Sequence, residues 1–127
     1  MTKKIILTEQ APAPIGPYSQ AVLSGNTLYV SGQIPIDPET GDLVSGDIQM
    51  EAHQVMRNIG AILQSAQMGF GNVVKCTIFV KDLNDFVAIN ETYGSFFSQE
   101  DPPARETVEV SQLPKNVNLE ISCIAEK

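Results

Sequence analysis

Two segments near the C-terminus constrain the fold of this chain more than any other feature. In residues 117–125, Val117, Leu119, Ile121, Cys123 and Ala125 fall on one side of an extended backbone, with Asn118, Glu120 and Ser122 on the other. Over residues 105–111 the same period of two separates Val108 and Val110 from Arg105, Thr107 and Glu109. Both strands therefore keep a polar face, as expected of a sheet whose two sides are not covered alike.

The rest of the chain supplies the other layer. Residues 4–8 read as a short strand, and residues 11–17 as a loop, because three prolines remove donors and disfavour helix before them. Residues 18–23 and 27–34 are β-rich and joined by Ser24-Gly25-Asn26, which predicts a hairpin. Pro35 to Asp42 is surface turn chemistry. Over residues 47–68, Ile48, Ala52, Val55, Met56, Ile59, Leu63 and Ala66 recur three or four apart, predicting an amphipathic helix closed by a left-handed Gly69. Residues 73–81 alternate again, with Val74, Cys76, Ile78 and Val80 on one side. A second helix is expected from Asp82 or Asp85, carrying Phe86, Ile89, Tyr93, Phe96 and Phe97 and ending before Pro102-Pro103, with Gly94 weakening its middle.

Six strands and two helices in the order β-β-β-α-β-α-β-β predict a single α+β domain over residues 1–127, a mixed sheet with both helices packed on one face. The uncovered face is expected to carry Arg105, Thr107 and Glu120 and to meet solvent, a ligand or another copy of the chain.

Composition narrows the function. The net charge of −7 repels phosphate backbones, so nucleic acid is an improbable main partner. No apolar run approaches the roughly 20 residues that cross a bilayer, and the apolar stretch at 5–7 is too short for a signal peptide; a cytoplasmic protein is expected. Cys76 and Cys123 lie too far apart for paired metal ligands and fall on core faces. His53 is the only histidine and sits within the first helix pattern, so a Ser-His or Cys-His nucleophile would have to use it there. No glycine-rich phosphate loop precedes a helix, and neither a metal nor an organic cofactor is called for.

Ala13-Pro14-Ile15-Gly16-Pro17-Tyr18, Val30-Ser31-Gly32-Gln33-Ile34-Pro35, Lys81-Asp82-Leu83-Asn84-Asp85-Phe86, Pro103-Ala104-Arg105 with Val108-Glu109-Val110, and Leu113-Pro114-Lys115 occur in this order nearly end to end. In them the chain resembles the Rid family, also called YjgF, of reactive intermediate deaminases. The resemblance implies a chorismate-mutase-like fold, a homotrimer with ligand clefts between subunits, and hydrolysis of enamines and imines such as 2-aminoacrylate, 2-iminopropanoate and 2-iminobutanoate to 2-oxo acids and ammonia. By the same resemblance Arg105 binds the substrate carboxylate, Glu120 positions or deprotonates the attacking water, and Tyr18 reaches the ligand from a neighbouring subunit. Ser31, Gly32, Phe86 and Thr107 complete the expected binding set.

The residue chemistry suits these roles. A planar guanidinium grips a carboxylate bidentately, and a sheltered carboxylate can serve as a base. The plainer alternatives are an ion pair of Arg105 with Glu120 or Glu109, a buried hairpin aromatic at Tyr18, a bulge at Gly32 and a core ring at Phe86. One departure concerns Thr107, where many family members carry Cys; thiol chemistry at that position is excluded. The segment 98–102 is also shorter than usual in the family. Three other functions are weighed: a non-catalytic module that binds small 2-oxo acids; a ribonuclease or translation inhibitor, which the charge disfavours; and a chaperone-like or purely structural role, for which the sequence offers no feature.

Overall fold

The computed structural model describes residues 2–127. Its strands are β1 (Lys3–Ile6), β2 (Ala21–Ser24), β3 (Thr27–Gln33), β4 (Val73–Val80), β5 (Ala104–Glu109) and β6 (Leu119–Glu126). They form one six-stranded sheet in the order β1-β2-β3-β6-β4-β5. Only β4 and β5 pair in parallel. This parallel pair follows from the helical connection between them, while the Gly25 turn, at φ 62°, closes the antiparallel β2–β3 hairpin.

The helices are α1 (Ile48–Ser65) and α2 (Phe86–Gly94). The apolar face of α1 buries Ala52, Val55, Met56, Ile59, Ile62 and Leu63 in one cluster with Leu28, Val30, Ile78, Val80, Leu119 and Ile121 of the sheet. The α+β architecture expected from the alternating strands is thus present. None of the described helices is long and apolar enough to cross a membrane.

Several boundaries differ from the sequence expectation, each for a local reason. Asp47 caps α1 as its carboxylate accepts the Met50 N–H at 2.8 Å. At the other end, Met68 and Gln67 donate to the Leu63 and Gln64 carbonyls, both at 2.9 Å. The left-handed residue of this closure is Gln67, at φ 61°, and Gly69 is extended at φ −139°. The helix stops early, and Met68 turns into the core beside Leu63. The second helix is likewise short: Asp82 caps a 3₁₀ turn over Leu83–Asp85 by accepting the Asn84 N–H, and Gly94 ends α2 rather than interrupting it. Phe96 and Phe97 lie beyond the helix yet still pack on the core.

In β4 the expected inward Val74 is 48% exposed, whereas Val73 is buried. The register explains it, since Val73 pairs with Ala125 and Lys75 with Ile124, leaving Val74 in a bulge. Tyr18 lies outside any strand, in the loop that precedes β2.

That loop is held by one buried side chain. Gln20 accepts the Thr8 N–H at 2.7 Å and donates to the carbonyls of Thr8, Ala11 and Pro12 at 3.0, 3.3 and 2.9 Å. Gln20→Leu leaves these backbone groups without their partner. The expected loss is about 2–3 kcal/mol of stability. Limited proteolysis should also show faster cleavage between residues 11 and 18, and an unchanged urea midpoint would contradict this.

Candidate functional site

The polar residues singled out in the sequence gather in two places. The first is a cleft of about 310 Å³ on the face of the sheet away from the helices. Ile15, Ile34 and Pro114 form its apolar walls, and Tyr18, Ser31, Gly32 and Glu120 complete it. Glu120 is placed by alternation: Leu119 and Ile121 on either side are fully buried in the core, so the residue between them points to the open face. Its carboxylate makes no hydrogen bond or ion pair with any described residue, and partial burial pushes its carboxyl above the ordinary glutamate range.

Ser31 and Gly32 form a bulge, because Val30 pairs with Cys123 and Gln33 with Ile121. Two residues of β3 therefore face Ser122 alone. Ser31 is tied down inside the protein, its N–H donating to the Gln20 carbonyl at 2.9 Å and its hydroxyl to the Ser19 carbonyl at 2.6 Å. Its donors thus hold the bulge in shape. Tyr18 accepts the Ile15 N–H on its phenolic oxygen at 3.2 Å, which leaves the O–H as a donor for a ligand.

The second place is the edge strand β5. Arg105 pairs in register with Cys76, whose side chain is in the helix-side core. The guanidinium donates to Asn90 Oδ1 at 2.5 Å, and its central carbon lies 5.5 Å from the Phe86 ring centre and 5.2 Å from that of Tyr93. No carboxylate pairs with it among the described residues. Glu106 binds Lys75 at 3.2 Å, and Glu109 accepts the Leu83 N–H. The sequence alternative of an ion pair with Glu109 or Glu120 is therefore absent. A planar cation so held, with no counter-charge, is equipped to take an external carboxylate.

Arg105 and Thr107 thus point to the helix side of the sheet, and Glu120 to the open side. The expectation that all three share the uncovered face is corrected. Alternation holds within β5, but the side that carries Arg105 and Thr107 turns toward the helices and not, as expected, away from them. At this edge the open side takes Glu106 and Val108, the latter 40% exposed, while the helix side takes Arg105 and Thr107. Val110 joins Phe79, Ile34, Ile36, Leu113 and Val117 in a small second core away from the main one. Phe86 supports the arginine and does not line the Glu120 cleft of its own chain.

Asn90 and Tyr93 escaped the sequence reading. The signal for Asn90 was its place one helical turn after Phe86 on α2, which only the position of β5 turns into a contact. Tyr93 is a core residue, as its helical spacing predicts, and it also forms part of the seat of Arg105. Its hydroxyl sits beside the Cys76 thiol without an oxygen or nitrogen partner, and burial pushes the phenol far above its ordinary range.

The Thr107 hydroxyl is also buried without a partner. Thr107→Val keeps the shape and removes that oxygen. It is expected to raise stability by about 1 kcal/mol, read as a higher urea midpoint with unchanged slope. A lower midpoint would mean that the hydroxyl is bonded in the folded protein.

Known proteins resemble this chain over almost its whole length. A family model described as endoribonuclease L-PSP matches residues 8–127. A RutC family protein of Pyrococcus horikoshii is 54% identical over 125 residues, 98% of each chain. The 2-iminobutanoate/2-iminopropanoate deaminase of Escherichia coli K12 is 50% identical over 124 residues, 96% of each. The crystal structure of YyfA, a Rid-family protein of unknown function from Yersinia pestis, superposes with a TM-score of 0.96 at 47% identity, covering 99% of this chain and 100% of that one.

Proposed function

The chain belongs to the Rid family, also called YjgF, and on that footing we propose that it hydrolyses small 2-imino acids, and their enamine tautomers, to 2-oxo acids and ammonia. The observation that carries the proposal is Arg105, a guanidinium oriented by Asn90 and two rings yet paired with no carboxylate. Such a group takes the substrate carboxylate in a two-point grip and holds C2 still.

Water then adds to C2 of the imine. Glu120 accepts a proton from that water and passes it to the imine nitrogen, giving the carbinolamine, whose hydroxyl proton then passes to the same nitrogen as the adduct collapses. The C–N bond breaks, ammonia leaves and the 2-oxo acid remains. A base whose carboxyl sits above the usual range is better matched to this exchange than an ordinary glutamate.

Within one chain the arginine and the glutamate face opposite sides of the sheet, so the working cleft is assigned to the boundary between copies. One copy supplies Glu120 and Tyr18, the next supplies Arg105, and a closed ring of three repeats the site three times. Exposed apolar side chains on the open face support this packing, with Ile5 and Tyr29 each 50% exposed and Val108 40%. The word endoribonuclease in the family description is not carried over. A net charge of −7 is the wrong sign for gripping a phosphate backbone.

The test is a direct one. A threonine dehydratase releases 2-iminobutanoate in the presence and absence of this protein, and imine decay is followed in real time. Acceleration proportional to protein concentration is expected. Saturable binding of 2-oxobutanoate with no acceleration would instead favour a ligand-binding module.

A further inference from the structure

We propose that Gly32 is the positioning residue for the Glu120 carboxylate: its missing side chain is the space in which that carboxylate lies, against the bulged backbone of β3. The inference rests on the reading of Glu120 as the group that handles the water, and it assigns Gly32 a role through Glu120 in addition to any contact with a ligand.

A Cβ built on Gly32 would stand 2.7 Å from Glu120 Cδ and 2.9 Å from Cγ, and would overlap Oε2 outright. The whole head of the glutamate thus occupies the place of a side chain at position 32. Both sides of this contact are fixed. The bulge is pinned by the two hydrogen bonds of Ser31 to Gln20 and Ser19. The Glu120 backbone is locked by Leu119 and Ile121, each 0% exposed. Backbone conformation does not require a glycine here, because Gly32 is absent from the residues with positive φ, which include Gly25, Gly41 and Gly46. The requirement comes from the neighbour alone.

This makes the position a clean probe. An added methyl meets the far end of a flexible side chain, so the fold is retained while the carboxylate swings away from β3. Displacing a catalytic group by about 1 Å is worth up to about 100-fold in rate. Gly32→Ala is therefore expected to lower kcat/KM for 2-iminobutanoate by about 10- to 100-fold. Glu120→Ala removes all three atoms that an added methyl at position 32 would meet. The double variant Gly32→Ala/Glu120→Ala should be no more impaired than Glu120→Ala alone, so that the two losses do not multiply, the mark of two residues sharing one space.

A second readout does not depend on turnover. Carbon-13 NMR of the labelled glutamate carboxyl follows the titration of Glu120 in the wild type and in Gly32→Ala. The glycine variant should bring the midpoint down toward the ordinary glutamate value as the carboxylate moves into water. An unchanged midpoint overturns the proposal, even if activity falls. If the wild type proves inactive on imines, the deaminase reading fails, and the titration still decides the role of Gly32. Should Gly32→Ala fail to fold, recovery of folding in the double variant supports the shared space, and failure of both overturns it.

Discussion

Arg105→Ala is expected to reduce kcat/KM for 2-iminobutanoate by about 10²–10³-fold, because in the proposed mechanism it removes two charge-assisted hydrogen bonds to the substrate carboxylate, together worth about 3–4 kcal/mol. The fold should survive. Arg105 lies on an edge strand and is half-buried, and its stacking on Phe86 and Tyr93 contributes only about 1 kcal/mol. Arg105→Lys should recover little of the loss. An ammonium has no plane to lie along two rings and no fork to offer a carboxylate while Asn90 holds its other edge. Steady-state kinetics on the folded variants check this, and retention of most activity in Arg105→Ala would remove the clamp from the account.

The second large effect is at Glu120. Glu120→Gln is expected to lower the rate by about 10²–10⁴-fold, the usual contribution of a positioned general base. In the wild type kcat/KM should fall on the acid side as Glu120 takes up its proton, with a midpoint above that of an exposed glutamate. Stability should move the opposite way. Burial makes the folded protein bind this proton more tightly than the unfolded chain does, so the stability linked to the protonated carboxyl is complete below the unfolded pKa. It is lost as pH rises through the higher folded value. At neutral pH the wild type carries the unfavourable charge, and Glu120→Gln should be the more stable protein, with the difference vanishing in acid. Urea midpoints at pH 7 and pH 4 test this; a variant less stable than the wild type at pH 7 would contradict it.

Much of the layer structure was legible because alternation and helical periodicity are local signals. Leu119, Ile121 and Cys123 face the core as their spacing requires, and Ala52, Val55, Met56 and Ile59 do the same on α1. What escaped depends on events with no periodic trace. The bulge at Val74 reverses the inward residue at the start of β4, and Gln67 takes a left-handed turn that the sequence expectation gave to Gly69. The site shows the same divide. Tyr18, Ser31, Gly32 and Glu120 meet in one cleft, since β3 and β6 are adjacent in the sheet. Arg105, Thr107 and Phe86 are elsewhere, because β5 is an edge strand whose polar side turns toward the short α2. Period two groups residues by side within a strand but does not say which side meets the helices.

The central claim is that Glu120 and Arg105 act on one ligand from different copies of the chain. Complementation tests it most directly. Arg105→Ala and Glu120→Gln, each inactive alone, are unfolded together and refolded as a mixture. Random assembly of a three-membered ring with its sites between subunits rebuilds intact sites, and roughly a quarter of the wild-type activity should return. If no activity returns from a mixture that has refolded and exchanged subunits, the two residues do not meet across copies, and the proposed cleft is wrong.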